Sequence, residues 1–104
     1  MKLRYEFAIM NMDGDEYAAV PVGEDAKKFH GMLKINDVSA DILSRLKEDT
    51  TAMNIHKFLK EKYPESTDEE IAEKLVKFLN VLFHQGLLLI KDDERKIFFL
   101  WAGT

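Results

Sequence analysis

The residues best suited to proton transfer or metal ligation in this chain are three histidines, His30, His56 and His84. They fall on three different elements, with no paired spacing such as His-x-x-x-His, so they make no metal site. Ser44-Arg45-Leu46-Lys47 has the Ser-x-x-Lys spacing of some acyl-transfer enzymes, but it lacks every companion motif and sits late in a short helix. Asn11-Met12-Asp13-Gly14-Asp15-Glu16 has the flavour of a calcium loop. Its acids do not occupy the positions an EF-hand requires, and it reads as a plain hairpin turn. There is no cysteine, which excludes disulfides, thiolate zinc sites, iron–sulfur clusters and a cysteine nucleophile. No glycine-rich phosphate loop exists. The expectation is a chain without catalytic residues, metal or cofactor, which works by binding.

Composition agrees with a small soluble binder. The 104 residues make one domain, 1–104. Apolar residues are 46% and charged residues 33%, the balance of a soluble globular protein. The net charge of −4 argues against a general nucleic-acid binder, which carries a basic face. The first ten residues interrupt their apolar stretch with Arg4 and Glu6, so they are not a signal peptide. The longest apolar run, residues 97–102, falls far below the ~20 residues of a membrane span. With no cysteine to oxidise, a cytoplasmic address is expected.

Several elements position whatever binds. Residues 5–22 read as a hairpin turning at Asp13-Gly14. If those two residues form the loop, Phe7 faces Val20, Ile9 faces Ala18 and Tyr5 faces Val22, an apolar face set by the turn. Pro21 cannot donate to a ladder and marks a strand end or an edge. A third strand is predicted over 30–36, with Phe29, Leu33 and Ile35 on one side and Met32 and Lys34 on the other; Gly31 interrupts it.

Helical spacing begins at Asp37. Ser39 is the expected N-cap of a first helix, with Ile42, Leu43 and Leu46 as its apolar stripe. A second helix is predicted over 51–62, burying Ile55, Phe58 and Leu59 and stopping at Tyr63-Pro64. The third opens at Ser66 or Thr67 with a capping box to Glu69 or Glu70 and ends at Gly86. Ile71, Leu75, Phe78, Leu79 and Leu82 share its core face. Val81 falls outside that face, between Lys74 and Lys77, so one flank is basic and apolar together. A last hairpin is expected from Leu87-Leu88-Leu89-Ile90 and Ile97-Phe98-Phe99-Leu100-Trp101, an apolar extension over 88–104. Both faces of these strands are apolar, which calls for a second layer or another molecule.

This order, three strands and then three helices, resembles the PqqD family, named for a small protein of pyrroloquinoline quinone biosynthesis. The resemblance rests on Tyr17-Ala18-Ala19-Val20-Pro21-Val22-Gly23, Phe29-His30-Gly31-Met32 with Ile35-Asn36, Ile42 and Leu46, Tyr63, and the run through Phe78-Leu79 to Gly86-Leu87-Leu88. It implies an α+β, winged-helix-like fold: a three-stranded antiparallel sheet, three helices and a C-terminal β-hairpin. It also implies a non-catalytic adaptor that binds the leader of a ribosomally made precursor peptide and presents it to a modifying enzyme, often of the radical SAM type. In the family the leader adds as a strand to the third strand, in a groove bounded by the third helix. That carries over to Gly31, Met32, Leu33, Lys34 and Ile35 on the strand and to Lys74, Lys77, Phe78 and Val81 on the helix. The lysines suit acidic leader residues, and Met32 and Val81 suit apolar anchors. The extension past residue 88 lies beyond the usual family end, and Phe98, Phe99 and Trp101 could make it a homodimer interface.

The rival reading is a winged-helix DNA-binding regulator. The would-be recognition helix opposes it, because Asp68, Glu69, Glu70 and Glu73 outweigh Lys74 and Lys77 and crowd the end that would meet the bases. Helix two, with Lys57, Lys60 and Lys62, would be the DNA-facing element if that reading held.

Overall fold

The computed structural model describes residues 1–27 and 31–90. In chain order these form β1 (Lys2–Leu3), β2 (Phe7–Asp13), β3 (Glu16–Pro21), a short 3₁₀ turn (Gly23–Lys27), β4 (Leu33–Asn36), α1 (Asp37–Arg45), α2 (Ala52–Lys62), α3 (Asp68–His84) and β5 (Leu88–Leu89). The architecture is α+β: an antiparallel sheet of order β2-β3-β4, then three helices, with β1 and β5 paired as a separate two-stranded ladder.

The hairpin turns one residue later than the Asp-Gly pair predicts. Asp13 pairs with Glu16, so Gly14 and Asp15 are the loop residues. Gly14 has φ +58, and among the described residues only glycines take positive φ. A single left-handed residue at the first loop position fits a type II′ turn, which needs glycine only there. A bulge between Asn11 and Asp13 absorbs the offset, and beyond it Phe7 pairs with Pro21, Ile9 with Ala19 and Met10 with Ala18. The expected pairings of Phe7 with Val20 and Ile9 with Ala18 are therefore each one residue out.

β4 is also shorter than the predicted 30–36. Its pairs with β3 run from Glu16↔Asn36 to Ala19↔Leu33, and continuing that register would place Gly31 opposite Pro21. Proline brings no N–H to that position, and Gly31 has φ +138, far from strand geometry. Of the residues placed on this strand from sequence, Phe29 and His30 lie outside the described residues.

Each helix begins on a side-chain cap. Asn36, not Ser39, caps α1: its Oδ1 accepts from the Ser39 N–H at 2.8 Å. Asparagine is among the strongest caps, and Ser39 three residues on is the donor it serves. Thr51 caps α2, and Thr67 with Glu70 forms the capping box of α3. The core is where these helices meet the sheet: Ile42, Leu43 and Leu46 pack with Ile55, Leu59, Leu75 and Leu79. Phe58, expected inside, is half-buried beneath the Arg45 guanidinium, 4.5 Å from its ring centroid.

The end of α3 is held from outside. The Gly86 N–H donates to the Phe83 carbonyl at 3.0 Å and the Leu87 N–H to the Leu82 carbonyl at 2.9 Å, a Schellman stop with glycine at φ +73. Arg4 Nε donates to the Gly86 carbonyl at 2.9 Å, and the Arg4 N–H to the Leu87 carbonyl at 2.8 Å. Sequence reading pairs Leu87-Leu88-Leu89-Ile90 with 97–101. Among the described residues Leu88–Leu89 pairs with β1, with Lys2 opposite Leu89. Residues 97–101, including Phe98, Phe99 and Trp101, lie outside the described residues.

Asp41 joins α1 to the end of α2. It accepts from the Tyr63 hydroxyl at 2.6 Å and from Lys62 Nζ at 2.7 Å. Burial, and then the hydrogen bond and negative charge of Asp41, push the Tyr63 phenol above its ordinary range. Because the folded value exceeds the unfolded one, this contribution to stability is whole below pH ~10 and drains away as pH rises beyond it. Denaturant midpoints of wild type should therefore fall more steeply above pH ~10 than those of Tyr63→Phe. Parallel curves would show that the phenol is not coupled to folding.

Candidate functional site

The site is built from the free edge of β4 and one flank of α3. Which backbone groups that edge offers follows from the ladder. The Val22 N–H donates to the Glu6 carbonyl at 3.0 Å, so in this register the even-numbered residues of β3 turn their N–H and C=O toward β2. Tyr17 and Ala19 then turn theirs toward β4 and bond with their partners Ile35 and Leu33. Leu33 and Ile35 thus spend their backbone groups inside the sheet. Lys34 points its N–H and C=O outward, and among the described residues no strand pairs with that edge. An edge of this kind is a template for another chain.

Side chains follow the opposite logic. Leu33 and Ile35 lie partly buried against the core on the face shared with Tyr17 and Ala19. Lys34 lies on the other face and is exposed.

α3 supplies the far wall. Phe78 belongs to the core, while Val81 is 46% exposed. Two clefts meet between helix and strand. The larger, about 670 Å³, runs along Met32, Leu33, Lys34 and Ile35 to Phe78, Val81 and Gln85. The smaller, about 260 Å³, is walled by Val38, Lys74 and Lys77. Asn36, Ser39, Phe78 and Val81 line both, which makes one continuous groove. Lys77 pairs with Glu73 at 3.0 Å on its own helix. Lys34 and Lys74 have no ion-pair partner among the described residues.

Eight of the nine residues singled out from sequence therefore border one groove. Gly31 does not line it; it precedes Met32 with open space where a side chain would stand. Sequence reading missed Asn36 and Ser39, whose capping pair sits in the groove floor, and Gln85. It also missed Met12, Asp15 and Glu16 at the hairpin tip. Asn36 was legible as a cap; the tip was not, because its position depends on the bulge.

Two of the three lysines on which DNA binding would depend are engaged within the chain, and Lys57 is exposed. Lys62 bonds Asp41 and Lys60 Nζ bonds the Ser66 carbonyl. His56 Nε2 lies 3.4 Å from Asp68 Oδ1, and His84 stacks edge-on against Phe83; His30 lies outside the described residues. Among the described residues no group of three or more histidines and carboxylates is arranged to hold a metal, and no helix is long and apolar enough to cross a membrane.

A family model described as coenzyme PQQ synthesis protein D (PqqD) covers residues 6–88, most of the chain. No curated protein and no solved structure matches.

Proposed function

The chain belongs to the PqqD family, and from that premise we propose that it is a non-catalytic adaptor: it binds the leader of a ribosomally made precursor peptide by strand addition and delivers it to a separate modifying enzyme of the radical SAM type. Family membership supports a part in coenzyme PQQ synthesis or related peptide modification. The observation that carries the finer reading is the coincidence of an open strand edge with an apolar and basic helix flank in one groove. Strand addition draws affinity from main-chain bonds and selectivity from pockets for alternate side chains. Both are on offer, the first at Lys34 and the second at Met32, Phe78 and Val81. Delivery requires no bond to be made or broken by this chain.

The test begins with affinity capture of the tagged protein from its host and synthesis of the leader of any precursor peptide recovered. That peptide, titrated into isotope-labelled protein, should shift the amides of residues 32–36 and 74–81. Val81→Asp should weaken binding about tenfold, since it removes an apolar contact and sets a charge in its place. Unchanged affinity would remove the helix flank from the site. Capture of specific DNA without peptide would promote the winged-helix regulator.

A further inference from the structure

The larger cleft is lined from both faces of β4: Leu33 and Ile35 on the face that meets the core, and Lys34 on the other, with Ala18 of β3 beside it. By register the row that holds Lys34 crosses the sheet as Met10, Ala18 and Lys34. The neighbour directly opposite Lys34 is therefore a fully buried alanine, which offers no charge. Glu16 pairs with Asn36 and so stands diagonal to Lys34, at the ~7–8 Å of such neighbours. No ion pair joins the two or ties Lys34 to any other described residue. Lys34 is exposed, and the place next to it in its row, across the free edge of β4, is unfilled by any described strand.

We infer that the site selects a three-residue pattern in its peptide: an acidic residue held between two apolar ones. The inference rests on the strand-addition reading and deepens it to a ligand class. Residues directly opposite on adjacent strands share a face whichever way the strands run. The peptide residue opposite Lys34 thus sets its side chain on the face of Lys34, with its Cβ ~5 Å from the lysine Cβ. A carboxylate there completes a cross-strand ion pair, and a basic side chain meets its like. The residues before and after it turn to the opposite face. There they lie over Leu33 and Ile35 and against Phe78 and Val81, where burial favours apolar side chains. A peptide slipped by one residue would press its acid onto Phe78 and Val81 and strand an apolar residue beside Lys34, so the pattern also fixes register. It reads the same in both directions and holds for parallel and antiparallel addition alike.

The probe is a display library of random peptides about ten residues long, roughly twice a typical strand, selected on the full chain. The wild-type pool should be enriched in an acid flanked on both sides by apolar residues, with acidic over basic at the central position by about fivefold. Lys34→Glu should turn the central preference basic and Lys34→Ala should remove it, both keeping the apolar flanks. A central preference indifferent to the changes at Lys34, or acidic and apolar residues enriched without this alternation, would overturn the inference and leave peptide binding standing. A pool no richer than background would overturn both.

Discussion

Replacing Lys34 by proline should weaken peptide binding about 30-fold and leave the fold in place. The ladder register turns the Lys34 N–H away from β3, so the substitution removes a donor that the sheet of the described residues does not use. Proline is tolerated on edge strands under that condition, and it favours an extended residue before it, which Leu33 already is. An added strand would lose one hydrogen bond, leave its own carbonyl unsatisfied and meet a ring where it should lie flat. Together these cost about 2 kcal/mol, or about 30-fold in affinity. Lys34→Ala keeps the N–H and removes only the charge, so it should bind within about threefold of wild type. Ile35→Pro should instead damage the sheet, because Ile35 directs its N–H into β3. Titration of the three variants with the same leader peptide, with circular dichroism to follow folding, separates the cases. Equal binding by Lys34→Pro and wild type would show that β4 is not where the peptide pairs.

The second large effect is on stability. Leu79 is fully buried on α3 and belongs to the cluster that includes Ile42, Leu43, Ile55 and Leu59. Leu79→Ala should cost about 3 kcal/mol, from lost burial and the cavity left behind. Against a total of ~5–15 kcal/mol for a domain, that lowers the melting temperature by roughly 15 °C. Val81→Ala, two residues along the same helix, should change stability by less than about 0.5 kcal/mol. Thermal unfolding of both variants is the measurement, and similar melting points would mean that the two faces of α3 had been wrongly distinguished. The contrast extends to the proposed function: Leu79→Ala should act on how much protein is folded, and Val81→Asp, if the proposed groove holds a peptide, on what the folded protein binds.

What could be read from the sequence depended on how local its cause was. The core face of α3 follows from spacing alone, and Ile71, Leu75, Phe78, Leu79 and Leu82 are all buried. By subtraction, the same spacing exposes Val81 beside Lys74 and Lys77. The hairpin was visible as an Asp-Gly signal, but its register was not, because glycine can serve a type II′ turn one position later and a bulge hides the difference. Ser39 and Asn36 are both good caps, and the choice between them depends on where β4 stops. β1 is two residues long, too short for any periodicity, and its partner lies at the other end of the described chain. The groove was legible where a family resemblance named its strand and helix. The hairpin tip stayed hidden because its place comes from the bulge and from the meeting of distant segments.

The pairing of β1 with β5 also bears on the order in which the protein assembles. Arg4 and Gly86 are 82 residues apart in sequence, whereas the sheet of β2, β3 and β4 closes over short connections. Long closures come late, because their entropy must be met before the contact rewards it. A chain made from its N-terminus can build the sheet and the first two helices while β1 still waits for β5. The last turn of α3, closed by its own Schellman bonds, gains its outside fastening when Arg4 reaches Gly86. On a ribosome the strand edge is therefore ready before the end of the wall facing it, and on the peptide-binding reading proposed above a newborn chain completes its groove only when residues 86–89 have emerged.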